Sequence, residues 1–274
     1  MKPLYTPIAR EEFHGMVALV TGAGRGIGQA IALRLSKDGW KVAATARSAG
    51  ELAETAKSSG GRILTVAGEI VEGAFVERLA GEVERALGPV DLLVNNAGTG
   101  GPFGLFWEND PGEWWRCQEV NLRGPMLCCR YLLPGMIARK SGRIVNVVSG
   151  AGCQAYPDMS AYVASKTALL RFSEQLALET RPHGVSVFAL RPGLVRTRMS
   201  EEARVHLSFI QQMFDGRMDV APEVVTDLVT TLASGRADAL SGRLFSVHSD
   251  VDAMIRKAED VQAQELYLLR VRQL

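Results

Sequence analysis

The chain lacks a large excess of positive or negative charge. It carries 31 lysines and arginines against 30 aspartates and glutamates, for a net charge of +1. Proteins that bind nucleic acids or anionic membranes usually present an excess of basic residues. The charge balance therefore gives no electrostatic reason to expect nucleic acid or a membrane surface as a partner.

Long hydrophobic runs are also missing. A helix that spans a bilayer needs about 20 consecutive apolar residues, and no segment approaches this length. Residues 1–15 lack the apolar stretch of a secretory signal and end in charged residues. We expect a soluble, cytoplasmic protein with an N-terminal extension over residues 1–15.

Cysteine is scarce, with four residues in the chain. Cys128 and Cys129 are adjacent and lie with Cys117 in a segment whose pattern predicts a buried helix, whereas Cys153 stands apart. No spacing typical of metal ligands occurs. This usage favours reduced thiols in the cytosol and predicts no metal site.

What the chain does contain is a repeated alternation of short β-branched runs with helical segments. Strands are predicted at Val17–Thr21, Lys41–Ala46, Ile63–Ala67, Val90–Val94, Arg143–Val148, Val185–Leu190 and Arg243–Val247. Helices are predicted at Ile27–Asp38, Ala49–Ser58, Phe75–Leu87, Pro111–Arg139, Ala161–Thr180 and Pro222–Ala233. The alternation is typical of a doubly wound parallel sheet with right-handed crossovers.

No repeat, low-complexity tract or linker interrupts this pattern, and 47% of the residues are hydrophobic. We therefore predict one α/β domain over residues 1–274. Its sheet is of the Rossmann type, with seven mainly parallel strands and helices on both faces. Pro125 and Pro134 should kink or shorten the longest helix because proline lacks a backbone donor.

A glycine-rich turn, Thr21-Gly-Ala-Gly-Arg-Gly-Ile-Gly28, follows the first strand and opens the first helix. Glycines allow a tight turn and the close approach of a pyrophosphate, whose charge the helix N-terminus stabilises. Such strings also occur in ordinary turns, but the position between strand and helix predicts a dinucleotide site. The candidate residues are Gly22, Gly24, Arg25, Gly26, Ile27 and Gly28.

The end of the second strand indicates which dinucleotide binds. An NAD site usually places an acid there to bind the ribose hydroxyls, whereas this chain has Ala46, Arg47 and Ser48. With Arg25 in the glycine turn, two arginines and no acid favour the 2′-phosphate of NADP(H). The alternative is that both arginines are solvated surface residues and that NAD(H) is the cofactor.

Tyr162 and Lys166 stand four residues apart, so a helix places them on one face. A tyrosine with a pKa of about 10 exchanges protons poorly at neutral pH. A positive charge at ~4 Å is worth on the order of 4 kcal/mol, so we expect Lys166 to lower the pKa of Tyr162 towards neutrality. By chance, such a pair occurs in about one in eight chains of this composition.

Taken together, these motifs resemble those of the short-chain dehydrogenase/reductase superfamily over roughly residues 15–250. The resemblance rests on TGxxxGxG at Thr21–Gly28, Asn95-Asn96-Ala97-Gly98, Asn121, Ser149, the Tyr162/Lys166 pair and Pro192-Gly193. It points to the carbonyl reductase and alcohol dehydrogenase branch, with NADP(H) as cofactor.

The resemblance implies a role for each of these residues. Tyr162 would be the general acid that protonates a carbonyl oxygen, and Lys166 would tune it and bind the nicotinamide ribose. Ser149 would orient the carbonyl. Asn121 would support a water relay, or else bond only backbone. The remaining cofactor contacts would be Asn96, Ala97, Gly98, Pro192, Gly193, Val195 and Thr197.

The chain departs from the family pattern after the third strand, where Glu69 replaces the usual aspartate. Glutamate keeps the acceptor chemistry but is longer by one methylene. The resemblance thus implies an adenine contact through the backbone of Ile70, and leaves the side-chain contact of Glu69 open.

Three segments should form the substrate pocket: residues 99–115, 150–160 and a lid over 200–218, predicted as an amphipathic helix. Their apolar side chains favour a hydrophobic carbonyl or alcohol as substrate, although aromatic residues such as Trp114 and Trp115 suit a subunit interface equally. The helical pattern of residues 253–274 predicts a tail that pads the core or clasps a neighbouring subunit. The resemblance implies a homodimer or homotetramer.

The sequence thus favours an NADP(H)-dependent oxidoreductase that reduces a hydrophobic ketone or oxidises the alcohol. A non-catalytic NADP(H)-binding regulator on the same fold is one alternative, but such a protein is expected to lose Ser149, Tyr162 or Lys166. A reductase of carbon–carbon double bonds or an epimerase is another alternative. The presence of Ser149 favours carbonyl chemistry over both.

Overall fold

The computed structural model of this protein describes residues 13–271. The strands in this part of the chain are β1 (Val17–Thr21), β2 (Lys41–Ala46), β3 (Ile63–Ala67), β4 (Leu92–Asn95), β5 (Gly142–Val147), β6 (Val185–Arg191), β7 (Leu194–Val195), β8 (Asp219–Val220) and β9 (Leu244–Ser246). Seven of them form a parallel sheet in the order β3-β2-β1-β4-β5-β6-β9, and β7 pairs separately with β8.

Helices cover both faces of this sheet. Among residues 13–271 they are α1 (Gly26–Lys37), α2 (Ala49–Ser58), α3 (Gly73–Leu87), α4 (Pro111–Gln118), α5 (Gly124–Arg139), α6 (Ser160–Thr180), α7 (Arg198–His206), α8 (Ser208–Asp215), α9 (Pro222–Ala233), α10 (Val251–Arg256) and α11 (Ala258–Ala263). The predicted Rossmann-type fold with seven strands is confirmed. None of these helices combines the length and apolarity needed to cross a bilayer.

The two faces of β1 belong to different hydrophobic cores. Ala18 and Val20 pack into the cluster that includes α1 and α9, whereas Val17 and Leu19 pack into the cluster that includes α3 and α5. Side chains alternate between the faces of a strand, so a strand buried on both sides is apolar at every position. This is why β1 was predicted with its observed bounds.

The strand order reverses at β1, which lies between β2 and β4. In open α/β sheets, ligands bind outside the carboxyl ends of the strands at such a switch point. The loops that follow β1 to β6 meet at this edge, so the fold brings the predicted motifs to one place.

The predicted helix Pro111–Arg139 is interrupted. A π-helical segment at 119–123 separates α4 from α5, and the N–H of Gly124 donates to the carbonyl of Glu119, five residues back. Pro125 falls in the first turn of α5, where a missing N–H costs little. The π-helical segment thus lies before Pro125. Pro134 lies within α5, and the helix continues beyond it to Arg139.

The C-terminal tail packs against its own chain. It is helical as far as Ala263, but residues 264–271 are not, which corrects the helical prediction for that stretch. The N–H of Leu244 in β9 donates to the carbonyl of Tyr267 at 2.9 Å, and Leu269 packs near Leu169 and Leu170. Residues 1–12 and 272–274 of the predicted extension and tail lie outside the described residues.

Candidate active site

Most of the predicted site residues line a single cleft of about 810 Å³ at the carboxyl edge of the sheet. They are Gly22, Gly24, Arg25, Gly26, Ile27, Arg47, Ser48, Glu69, Ile70, Asn96, Ala97, Gly98, Tyr162, Lys166, Pro192 and Thr197. Gly28, Asn121, Ser149, Gly193 and Val195 do not line it directly, and each supports a residue that does.

The glycine turn is held against the loop that follows β4. The hydroxyl of Thr21 accepts hydrogen bonds from the backbone N–H groups of Asn96 and Ala97, at 3.0 and 3.1 Å. A Cβ on Gly28 would lie 2.3 Å from the Asn96 amide nitrogen, and one on Gly22 would lie 2.7 Å from the Ala97 Cα. The close packing is possible because Gly22 and Gly28 carry no side chain, and it leaves the backbone of the glycine turn accessible at the start of α1, which suits a pyrophosphate.

Glu51 was missed by the sequence analysis, although it lines the cleft beside Arg25. Its carboxylate pairs with Arg25, and a second arginine, Arg198, lies 3.9 Å away. Glu51 is the third residue after Ser48, whose side chain accepts a hydrogen bond from the Glu51 N–H and caps α2. The spacing of Ser48 and Glu51 matches a capping box, a signal that would have placed Glu51 in the first turn of α2.

Glu69 forms a second charged group in the cleft, between Arg47 and Arg116. Its carboxylate lies 2.6 Å from the guanidinium of Arg116 and 3.8 Å from that of Arg47. Arg116 also lines the cleft and was not predicted from the sequence. The Glu69 side chain is therefore already paired with an arginine, whereas Ile70 lies beside it on the cleft wall.

The predicted catalytic residues meet where β5 ends and α6 begins. Ser149 caps a short 3₁₀ turn by accepting a hydrogen bond from the N–H of Ala151 at 3.2 Å, and its hydroxyl lies close enough to the phenol of Tyr162 to act on the pKa of that group. One helical turn further along α6, the ammonium of Lys166 donates to the carbonyl of Val147 at 2.9 Å. Only 4% of the Lys166 surface is exposed.

The direction of the Tyr162 pKa differs from our prediction. Burial raises the pKa of the phenol above its usual value, while the hydrogen bond from Ser149 acts in the opposite direction and is smaller. Burial also lowers the pKa of Lys166 to about 8. Loss of hydration disfavours the charged form of each group, so the predicted lowering of the Tyr162 pKa by Lys166 is wrong for this structure.

Asn121 lies in the π-helical segment, and its side chain bonds backbone. Its amide oxygen accepts from the N–H of Thr99 at 2.8 Å, and its amide nitrogen donates to the carbonyl of Thr99 and the hydroxyl of Ser165, both at 2.9 Å. Pro125 has no N–H to donate to the Asn121 carbonyl, four residues earlier. The side chain is thus structural, and a water relay would have to use the backbone carbonyl.

Gly193 and Val195 shape the turn after β6. Gly193 has a φ of +72°, and Val195 is buried in the pairing of β7 with β8. This turn carries Thr197 to the cleft, where its side chain caps α7 and lies 3.3 Å from the position of a Cβ on Gly26.

The predicted lid is two short helices instead of one. Leu207, in an extended conformation, separates α7 from α8. Phe209 of α8 stacks on Tyr156 with ring centroids 5.0 Å apart, and His206 stacks on Phe103 at 5.1 Å. The segment is docked on an apolar cluster that includes the buried residues Met159, Ala203 and Leu207 and reaches Tyr162.

The two tryptophans of α4 do not line the cleft. Trp114 donates from its indole nitrogen to the hydroxyl of Ser160 at 3.0 Å, and 61% of the Trp115 surface is exposed. The choice between a substrate pocket and a subunit interface for these two residues stays a prediction.

Comparison with known proteins identifies a family whose model covers most of the residues of this site. A family model described as short chain dehydrogenase matches residues 16–207. A short chain dehydrogenase of Pseudocercospora fijiensis is 33% identical over 291 residues, covering 97% of this chain and 94% of that protein.

Two solved structures share the fold and differ in cofactor. A single-residue variant of the actinorhodin polyketide ketoreductase, determined with NADPH, has a TM-score of 0.80 and 34% identity, covering 85% of this chain and 95% of its own. An NAD+-bound xylitol dehydrogenase has a TM-score of 0.80 and 28% identity, covering 85% of this chain and 98% of its own.

Proposed function

The chain belongs to the short-chain dehydrogenase/reductase family, and from this premise we propose that it is an NADP(H)-dependent reductase of a hydrophobic ketone. The family makes it an oxidoreductase; the carbonyl substrate, the NADP preference and the role of Tyr162 are the proposal. One observation carries it: Tyr162 lines the cleft with Ser149 beside its phenol, and the ammonium of Lys166 lies 5.7 Å from its ring centroid.

In this proposal the residues of the chain transfer one proton, from the phenol of Tyr162 to the carbonyl oxygen of the substrate. A half-buried phenol whose pKa is raised by loss of hydration stays protonated at neutral pH and is ready to donate to a carbonyl oxygen. Ser149 orients that oxygen, and Lys166, with a pKa of about 8, is largely cationic at neutral pH and stabilises the phenolate left behind. The bound nicotinamide supplies hydride in reduction or accepts it in oxidation.

The preference for NADP(H) is supported by the arginines of this chain. Arg25 and Arg47 line the adenosine end of the cleft, and β2 ends in Ala46 without an acid. An arginine can bind a 2′-phosphate through charge-assisted hydrogen bonds. Because one solved relative was determined with NADPH and another with NAD+, family membership alone does not decide between the two cofactors.

A hydrophobic ketone fits the walls of the substrate side. The loop after β4 presents Phe103, the loop before α6 presents Tyr156 and Met159, and the lid segment presents Phe209, all in the apolar cluster that reaches Tyr162. The similarity to a polyketide ketoreductase supports the same chemical class. We further propose that residues 1–274 act as one cytoplasmic domain in a homodimer or homotetramer, as is common in the family.

The test is the oxidation of NADPH in the presence of ketones, aldehydes and quinones. Tyr162→Phe removes the proton donor and should lower kcat by about 10²–10⁴-fold, the usual contribution of general acid catalysis. Tyr131→Phe, on α5 where the side chain is partly buried against the core, is the matched control and should stay active. Binding of NADPH without turnover of any carbonyl, turnover of conjugated double bonds alone, or full activity in Tyr162→Phe would each contradict the proposal.

A further inference from the structure

Glu51 occupies the cradle at the adenosine end of the cleft. Its carboxylate oxygen lies 3.1 Å from the position that a Cβ on Gly24 would take, and its own Cβ lies 2.9 Å from it. The absence of a side chain at Gly24 is thus what makes room for this acid. The strand β2 ends at Ala46 without an acidic residue, and the carboxylate at this end of the cleft comes instead from Glu51 in the first turn of α2.

The same carboxylate joins two parts of the protein. It pairs with Arg25 in the glycine turn and lies 3.9 Å from Arg198, the first residue of α7. The side chain of Arg198 is 65% exposed and that of Arg25 is 43% exposed, so both can turn to another anion. The ion pairs therefore reach across the mouth of the cleft, from α2 to the segment docked over Tyr162.

A 2′-phosphate at Arg25 would meet Glu51 at short range. Two like charges about 4 Å apart repel, and the repulsion is largest when little water separates them. A carboxylate that binds the arginines in the absence of the phosphate therefore competes with it. The 2′-hydroxyl of NAD(H) carries no charge and does not disturb the pairs.

We propose that Glu51 limits the affinity of this site for the 2′-phosphate, and so its selectivity for NADP(H), by competing with the phosphate for Arg25 and Arg198. When a 2′-phosphate binds, both arginines move from the carboxylate to the phosphate, and Arg198 becomes a third phosphate ligand beside Arg25 and Arg47. The proposal rests on the proposed function, because it takes NADP(H) as the cofactor.

The experiment measures the contribution of the 2′-phosphate to binding by titrating 2′,5′-ADP and 5′-AMP into each protein by calorimetry. Glu51→Gln should tighten binding of 2′,5′-ADP by about two- to fivefold, the size of an exposed ion pair, and leave 5′-AMP unchanged. Arg198→Gln should weaken 2′,5′-ADP by a similar factor. Glu54→Gln, exposed on the same helix, has the same charge change and should alter neither.

The outcomes separate the two levels of the proposal. A wild type that binds 5′-AMP as tightly as 2′,5′-ADP contradicts the NADP preference itself, before any variant is made. With a wild type that prefers 2′,5′-ADP, an unchanged or weaker affinity in Glu51→Gln overturns the competition, as does weaker binding of 5′-AMP, since Glu51 would then bind the ribose hydroxyls. An unchanged affinity in Arg198→Gln, or an equal gain in Glu54→Gln, also overturns it.

Discussion

The ammonium group of Lys166 lies over the ring of Tyr162, 5.7 Å from the ring centroid, and is tied to the end of β5 through the carbonyl of Val147. The hydrogen bond fixes the lysine without neutralising it, because a carbonyl carries no formal charge. The positive charge is thus kept buried beside the phenol, at a cost in hydration that appears in its lowered pKa.

Replacement of Lys166 by methionine should change how stability depends on pH. With its pKa lowered to about 8, the folded lysine binds fewer protons than the unfolded one, so wild-type stability rises as pH increases from about 8 to about 10.4. The difference in unfolding free energy between the two proteins should shift by roughly 3 kcal/mol over this range. Urea unfolding at a series of pH values measures the shift.

The control for this series is Lys57→Met, which alters an exposed lysine on α2. Its unfolding free energy should keep a constant difference from that of the wild type. A flat difference for Lys166→Met as well would mean that Lys166 is not destabilised by burial.

Removal of Arg47 should weaken the selectivity for the phosphorylated cofactor. Arg47→Ala takes away one charge-assisted contact, so the ratio of NADPH to NADH affinity should fall roughly tenfold. Fluorescence titration of both cofactors measures this ratio. Arg62→Ala, another exposed arginine, should leave it unchanged, and an unaltered ratio in Arg47→Ala would remove Arg47 from the phosphate site.

The stacked pair of Tyr156 and Phe209 should hold the segment over the substrate. Phe209→Ala removes an aromatic contact worth about 0.5–1.5 kcal/mol, so α8 should dock less often and kcat/KM should fall about three- to tenfold. NADPH affinity should remain unchanged. Val205→Ala, 77% exposed in the adjacent helix α7, is the control, and equal kinetics in the two variants would argue against a lid.

An alanine at Gly28 should disrupt the phosphate cradle. Its Cβ would lie 2.3 Å from both the Asn96 amide nitrogen and the Gly22 carbonyl oxygen, so the loops must separate, at a cost of about 1–3 kcal/mol. Thermal unfolding and NADPH titration should both show the loss. Gly81→Ala in α3 meets nothing within 4 Å and should instead raise stability by about 0.5–1 kcal/mol.

The sequence was sufficient to predict the sheet because its central strands, such as β1 and β4, are apolar and buried on both faces, and because glycines flank most strands. β1, β2, β3 and α2 begin and end as predicted. The π-helical segment was not predictable, since the apolar spacing on its two sides resembles that of a continuous helix. The pairing of β7 with β8 is only two residues long, too short for a periodic signal.

The candidate site was predictable in its residues and less so in its electrostatics. Spacing along α6 places Tyr162 and Lys166 on one face, but it says nothing about burial, and burial determines the direction of both pKa shifts. Glu51 follows the predicted residue Ser48 by one helical turn, and Arg116 comes from α4, which approaches the cleft from a distant part of the sequence. The presence of Arg116 there depends on tertiary packing, which no local pattern encodes.

The strand β9 lies at the edge of the sheet, and the hydrogen bond from the N–H of Leu244 to the carbonyl of Tyr267 pairs one of its outward-facing backbone groups. Unpaired backbone groups at a sheet edge are templates for intermolecular pairing and aggregation. A protein truncated after Ala263 would lose this cover while keeping every residue of the cleft. We therefore expect the tail to limit intermolecular pairing at β9, so shortened variants intended for crystallisation should retain it.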